Sequence, residues 1–144
     1  MHSLRSCLPL RLLLALAIAV SAASCGSEAT STTAPSPTTT TTSFTGTVAQ
    51  LGSSGHAFTV TTTGPVTIGL TSLAPLATMA MGVGIGTWDG TTCGTAVSKN
   101  DNARSGSTAL SGTASAGNYC VLVYDSGNIL EGIEVSYTVD VTRP

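Results

Sequence analysis

Apolar and polar residues alternate most regularly near the end of the chain. There, Ile133, Val135, Tyr137, Val139 and Val141 are separated by single, mostly polar residues. This two-residue period is typical of a β-strand that buries one face and leaves the other in water. We therefore predict a strand with a core side and a solvent side over this segment.

Similar short segments, separated by glycine, proline and asparagine turns, occupy the chain after its threonine run, and they predict about eight strands. Segments 56–63 and 66–70 both alternate, with the turn-forming Gly64 and Pro65 between them. This arrangement predicts a hairpin. Segment 118–125 is apolar at nearly every position, which predicts a central strand covered on both faces.

The composition also favours strands over helices. Threonine, glycine, serine, valine and alanine dominate, and only 8% of the residues are charged. Because helix-forming lysine, glutamate and glutamine are scarce, we expect an all-β fold. We predict one small antiparallel β-sandwich of about eight strands in residues 44–144.

The first residues read as an export signal. Residues 12–20 form an apolar run that is too short to span a bilayer, and it follows Arg5 and Arg11. The run leads into Ser-Ala-Ala-Ser-Cys at residues 21–25, which resembles the lipobox of bacterial lipoproteins. That resemblance implies a signal peptide over residues 1–24 and an acylated Cys25.

The alternative for this segment is ordinary cleavage after Ala22 or Ala23, which would leave a free thiol near the new terminus. The other cysteines favour acylation. Cys7 departs with the leader, so Cys93 and Cys120 remain as an even pair in an oxidising compartment. We predict a disulfide between them, which would stabilise the fold by about 3–4 kcal/mol.

Between the leader and the sandwich lies a linker, residues 25–43. After its first cysteine it contains threonine, serine, proline and other small or polar residues, without a large apolar side chain. Such a segment buries no apolar surface that could offset the conformational entropy lost on ordering, so we expect a disordered spacer. An O-glycosylated stalk is the alternative interpretation of the threonine run.

The folded region resembles the bacterial pre-peptidase C-terminal domain. The resemblance is carried by segments 55–60, 64–70, 116–123 and 137–141. It implies a jelly-roll-like sandwich and an accessory role, assisting secretion or binding polymers beside a catalytic partner. No peptidase segment accompanies the domain in this sequence.

A row of glycines raises the question of a ligand surface. Gly82, Gly84 and Gly86 share one parity with Trp88, so one face of this strand is almost bare backbone. It is either a flat platform with Trp88 at its edge, or a crowded edge where Trp88 covers the core. The surface that we expect to contact a ligand combines aromatic residues and one loop: Trp88, Tyr119, Tyr124 and residues 98–107.

Catalytic chemistry is poorly supported by the sequence. The region after the leader contains one histidine, His56, and we interpret it as a turn or surface residue rather than a general base. Asp89, Asp101 and Asp125 stand singly beside turn-forming residues. We therefore expect no enzyme, no cofactor and no bound metal.

Charge excludes one class of partner. After residue 24, three Lys and Arg stand against seven Asp and Glu, a net charge of −4, so we expect no nucleic acid. The expected partners are a membrane, through the lipid anchor, and a polysaccharide or envelope protein. The protein is thus predicted to be a non-catalytic accessory or binding module of the bacterial envelope, on the outer membrane or cell surface. The alternatives are a purely structural spacer or coat protein, and a small hydrolase using His56.

Overall fold

Eight β-strands account for the folded region of the computed structural model, which describes residues 38–144. The predicted signal peptide, Cys25 and the predicted linker up to residue 37 lie outside the described residues. Among residues 38–144 we find no helix long and apolar enough to cross a membrane. The strands are β1 (Thr40–Ala49), β2 (Ser53–Val60), β3 (Gly64–Ala74), β4 (Ala80–Trp88), β5 (Cys93–Arg104), β6 (Ser107–Ala114), β7 (Gly117–Tyr124) and β8 (Glu134–Arg143).

The strands form two four-stranded sheets, in the orders β1-β8-β3-β6 and β2-β7-β4-β5. Every described pairing is antiparallel. The chain changes sheet at each connection except the one between β4 and β5. This order is that of a jelly roll, in which two Greek keys interlock. The predicted all-β, jelly-roll-like sandwich is therefore confirmed.

The predicted hairpin between β2 and β3 is wrong, because the two strands belong to different sheets. β2 pairs with β7, whereas β3 pairs with β6 and β8. Residues 61–63 carry the chain across the sandwich instead of folding it back within one sheet. Alternation in a strand reveals which face is buried, but it is the same whichever sheet the strand joins.

The core lies between the two sheets, and the alternation of β8 decides which of its side chains enter it. Val135, Tyr137, Val139 and Val141 are all at most 2% exposed, as the pattern predicted. Ile133 precedes the strand and is 37% exposed. The predicted central strand is β7, which lies between β2 and β4.

β1 begins at Thr40, earlier than the expected domain start at residue 44. Residues 40–43 pair with residues 140–143 of β8. The Ser43 hydroxyl also donates a hydrogen bond to Asp140, at 2.6 Å. Threonine is β-branched and suits a strand, and an edge strand needs only one partner. The threonine run therefore continues directly into the sheet.

The predicted disulfide between Cys93 and Cys120 is confirmed. Their Cα atoms are 5.6 Å apart, within the usual range for a disulfide. The bond joins the start of β5 to the middle of β7 across the outer face of β4. A Cβ added at Gly86, on β4, would lie 3.4 Å from the Cys120 sulfur, an ordinary contact distance, so the bridge passes directly over this strand.

Candidate functional site

A cleft of about 490 Å³ opens on the flank of the sandwich, where the edge strands of the two sheets lie side by side. Its floor consists of Val66, Ile68, Ile85 and Tyr119. One wall is formed by residues 110–115, which are the second half of β6 and the residue that follows it. The volume lies in the range of small-ligand pockets.

The floor is part of the core. Val66 and Ile68 on β3 are buried, while Ile85 on β4 and Tyr119 on β7 are partly buried and pack against the same core. All four point inward through the two-residue period of their strands. A ligand in this cleft would therefore rest on an apolar surface that the sandwich already holds in place.

The β6 wall is a free sheet edge. Within the described sheets β6 pairs with β3 alone, so its other edge has no strand partner. The Asn100 side chain donates to the Ala109 carbonyl at 2.9 Å, which covers the edge just before the cleft. From residue 110 onward, the backbone groups that alternate away from β3 face the cleft.

The opposite wall comes from β5, an irregular strand. Its register against β4 shifts at three places, and such bulges bend a strand and increase its twist. Val97 and Ser98 line the cleft from this side. Val97 is 69% exposed, so the bend places a large apolar side chain at the rim instead of in the core.

The lining of the cleft contains no charged side chain. Its polar side chains are hydroxyls: Thr87, Ser98, Ser111, Thr113, Ser115 and Tyr119. The Tyr119 hydroxyl donates to the Ser115 carbonyl at 3.0 Å. An apolar floor with hydroxyls and backbone groups around it suits an uncharged ligand that can form hydrogen bonds along its length.

Of the three predicted aromatic contacts, only Tyr119 lines the cleft. Its ring stacks on Phe58, with centroids 5.9 Å apart. Tyr124 lies on the opposite face of β7, where its hydroxyl bonds to Asp101. Trp88 is half-buried at the end of β4, opposite Cys93 in the register. The three residues therefore do not form one surface, and a ligand contact at Trp88 or Tyr124 stays a prediction.

Burial and the neighbouring Asp101 carboxylate together raise the pKa of Tyr124 to about 12. The hydrogen bond from Tyr124, aided by Lys99, lowers the pKa of Asp101. Lys99 also forms a salt bridge with Asp101, at 3.1 Å. These groups form an exposed polar cluster on the outer face of the second sheet, away from the cleft.

Residues 98–107 are not a loop. β5 continues to Arg104 and β6 begins at Ser107, so only residues 105–106 form the turn. Gly106 adopts a φ of +78° there, and its N–H donates to the Leu70 carbonyl at 2.7 Å. The polar residues of this segment suit the exposed face of an edge strand as well as they suit a loop.

The glycine row of β4 is covered, which favours the crowded-edge interpretation. A Cβ at Gly82 would overlap the Tyr124 ring, and one at Gly84 would lie 3.2 Å from the Ala96 Cβ. At Gly86 the carbonyl oxygen of Gly94 would be 2.7 Å away. The residues that cover the glycine face are therefore Tyr124 and those of β5. The crowded-edge interpretation had instead named Trp88, as a cover for the core.

The interpretation of His56 as a turn or surface residue is wrong, because it lies partly buried within β2, in a different part of the sandwich from the cleft. Its Nε2 atom is 2.7 Å from the Tyr137 hydroxyl, and its ring stacks on Phe44 at 5.0 Å. Burial lowers the pKa of His56 and raises that of Tyr137. Asp89 and Asp125 accept backbone hydrogen bonds within turns. In the described part of the chain, no group of three or more His, Cys, Asp or Glu could hold a metal ion.

Sequence reasoning missed the β6 wall of the cleft. Segment 107–114 contains one large apolar residue, Leu110, and the structure leaves it only partly buried. That scarcity was the available signal, because a strand with one large apolar side chain cannot fill its share of a core.

The comparisons add no relative that could identify a ligand: no known family model matches the chain, and no curated protein matches it.

Proposed function

We propose that the protein is a non-catalytic binding module, tethered to the bacterial envelope through an acylated Cys25, and that it binds an extended polypeptide segment in the β6 cleft. The observation that carries this proposal is the free edge of β6, which runs along an apolar floor without any charged side chain. An added strand satisfies such an edge through its backbone and places alternate side chains on the floor.

The aromatic residues favour a polypeptide over a polysaccharide. Among residues 38–144, the large apolar side chains that are exposed are all aliphatic. Tyr119, the aromatic residue of the cleft, already stacks on Phe58. A sugar ring would require an accessible aromatic face, whereas a peptide strand requires mainly backbone partners and small pockets.

The envelope tether rests on the sequence of the leader and on the position of the first strand. The chain enters the sandwich at Thr40, directly after the threonine-rich linker. The accessory role implied by the resemblance to the pre-peptidase C-terminal domain is compatible with a module that captures a segment of another exported protein.

The proposal can be tested with a displayed library of random seven-residue peptides. We expect selection of peptides with alternating apolar residues. A selected peptide should lose at least about tenfold in affinity when alternate backbone nitrogens of one parity are methylated, because strand addition uses every second N–H. Methylation of the other parity should have little effect.

A Val97→Trp variant should close the cleft, because Val97 is exposed at its rim. Thr95→Trp is the matched control, since Thr95 is exposed on the same strand but does not line the cleft. Binding should be lost in the first variant and retained in the second. Equal binding by both variants, or binding of arrayed glycans instead of peptides, would contradict the proposal. No selected peptide at all would favour the spacer alternative.

A further inference from the structure

The large apolar side chains that the sandwich exposes are concentrated at one end. Loops 50–52, 75–79 and 125–133 all lie at this end, because the registers bring Ala49 opposite Glu134 and Gly82 opposite Tyr124. We call these three loops the apolar end. It carries four of the five large apolar side chains that are exposed in the described residues: Leu51, Leu76, Leu130 and Ile133.

Leu51 is held in an unfavourable conformation while it faces solvent. It is 88% exposed, and its φ of +57° is the one positive value among non-glycine residues in the described range. A left-handed conformation disfavours a side chain with a Cβ, and Asn or Gly would suit this turn better. Neither packing nor turn geometry therefore explains a leucine at this position.

Two loops of the apolar end, 50–52 and 125–133, are joined below their exposed tips, and the second is also bonded to the start of β4, directly after loop 75–79. The Asp125 carboxylate accepts a hydrogen bond from the Leu51 N–H at 3.0 Å, and the Asp125 N–H donates to the Gly52 carbonyl. The Asn128 side chain donates to the Ala80 carbonyl at 3.1 Å. Ile129 is 3% exposed and anchors the longest loop in the core. The leucine tips thus project from a fixed base.

We propose that the apolar end inserts its leucine side chains into the interfacial region of an uncharged lipid bilayer. Leu51, Leu76 and Leu130 are 88%, 49% and 70% exposed. Transfer of leucine into a membrane is favourable and requires no complementary partner shape. The site would act as a second, weaker membrane contact beside the tether.

The size and composition of the apolar end favour lipid over protein. A standard protein interface uses about 20–30 residues a side, whereas this end offers four exposed large apolar side chains. Protein hot spots are also rich in Trp, Tyr and Arg and poor in leucine. A bilayer gains from each inserted aliphatic side chain separately.

The charges near these loops favour a neutral lipid. Glu131 and Glu134 are exposed beside the leucines, and the neighbouring Arg104 donates to the Thr78 carbonyl at 2.8 Å. A surface that recognises anionic lipids would carry a cluster of Lys and Arg instead. We therefore expect binding to phosphatidylcholine that changes little with salt.

The tether permits this orientation if Cys25 is acylated, which is part of the proposed function. Residues 25–39 could reach roughly 50 Å when fully extended, and a ten-residue strand measures roughly 33 Å. Although the tether enters at the other end of the sandwich, an anchored chain is therefore long enough to turn its apolar end towards the same membrane.

The test uses the purified mature chain and vesicles of phosphatidylcholine brominated on the acyl chains, which quench nearby tryptophan. The single native tryptophan, Trp88, lies next to loop 89–92 at the opposite end and serves as the distant reporter. A Leu130→Trp reporter and a Val97→Trp reporter are each placed in a Trp88→Phe background. Val97 is the remaining exposed large apolar residue and lies outside the three loops.

We expect emission at position 130 to fall by about half, and emission at positions 88 and 97 by less than about a tenth. Adding Leu51→Asn should reduce the quenching at position 130 several-fold without unfolding, because Asn accepts a positive φ. Failure of the acyl anchor is distinguishable, because it would lower the fraction of the chain that sediments with the vesicles, which is measured separately for each reporter. The proposal is wrong if position 130 is quenched no more than position 97. It is equally wrong if Leu51→Asn only lowers self-association of the chain.

Discussion

The two ends of the sandwich differ in the chemistry that they show to solvent. The apolar end carries exposed leucines on loops 50–52, 75–79 and 125–133. The opposite end, which we call the threonine end, consists of loops 61–63, 89–92 and 115–116, whose residues are small or polar. The chain also enters at Thr40 and ends at Pro144 on this side.

The two ends also differ in how their loops are held. At the apolar end, Asp125 joins loops 50–52 and 125–133, and Asn128 bonds the second loop to Ala80 at the start of β4. At the threonine end, Asp89 bonds only to its own turn, through Thr91 and Thr92, and loops 61–63 and 115–116 are joined by one neutral bond, from the Ala116 N–H to the Thr63 hydroxyl. The Cys93–Cys120 disulfide lies in this half of the molecule. A carboxylate thus joins two loops at the apolar end, whereas the carboxylate of the threonine end holds a single turn beside a covalent bridge.

The largest effect should come from removing the bridge. We expect the Cys93→Ser, Cys120→Ser double variant to lose about 3–4 kcal/mol of unfolding free energy, because the open chain regains conformational entropy. Urea unfolding of the oxidised protein and of the variant measures this difference. Beyond this global loss, amides around loop 89–92, next to Cys93, should exchange faster through local opening, whereas those of loop 125–133 should change only as the global stability does. An equal increase in local amide exchange at both ends would contradict the difference between them.

A smaller loss should follow Asp125→Ala, which removes the acceptor for four backbone N–H groups, those of Leu51, Gly127, Asn128 and Ile129. We expect a cost of about 2 kcal/mol, since hydrogen bonds to a charged acceptor are stronger than neutral ones. Urea unfolding again provides the measurement. Asp89→Ala is the control and should cost less, because its partners all lie within one turn. A larger loss for the control would refute the difference between the ends.

The parts of the fold that the sequence predicted are those with a local cause. The burial of β8 follows from its alternation, and the disulfide follows from counting the cysteines that a predicted leader and a predicted acylation leave over. The pairing of β2 with β7 and of β3 with β6 and β8 depends on contacts distant in sequence, so alternation cannot distinguish it from a hairpin.

The candidate site was predictable only in part, for the same reason. Tyr119 was expected to contact a ligand, and it lines the cleft. The cleft itself exists because β5 bends away from the free edge of β6, and the register shifts that produce the bend have no clear local signal. Tyr124 was grouped with Tyr119 as aromatic, although an odd separation of five residues places the two on opposite faces of one strand.

Leu51 offers a test in which the substitution should raise the unfolding free energy instead of lowering it. Leu51→Asn should raise the unfolding free energy by up to about 1 kcal/mol, because Asn tolerates the positive φ that leucine resists. Leu130→Asn is the matched control, and we expect it to change stability by less than about 0.5 kcal/mol, as is usual on the surface. Thermal or urea unfolding measures both. A loss of stability in Leu51→Asn would show that the leucine packs against its surroundings, and the apolar end would then be structural.

The smallest effect should appear on acidification. Backbone hydrogen bonds from Thr92 and Thr91 lower the pKa of Asp89 to about 2. For Asp125, burial raises the pKa, but the bonds from Leu51, Ile129, Asn128 and Gly127 outweigh it and lower the pKa overall. Both carboxyls therefore bind a proton less readily in the folded chain than in the unfolded one. Their contribution to stability is complete above the unfolded pKa of about 4 and is lost as the pH falls towards the folded values.

The two ends should respond differently in that range. Protonation of Asp125 releases Leu51 and the 125–133 loop together, whereas protonation of Asp89 releases only its own turn. Between pH 4.5 and 2.5, we expect the Leu51 and Ile129 amides to lose exchange protection along one shared titration curve, while Thr91 follows a separate curve. Asp125→Asn should abolish the shared curve and leave that of Thr91 in place. If Leu51 and Ile129 titrate independently of each other, Asp125 does not couple the loops of the apolar end.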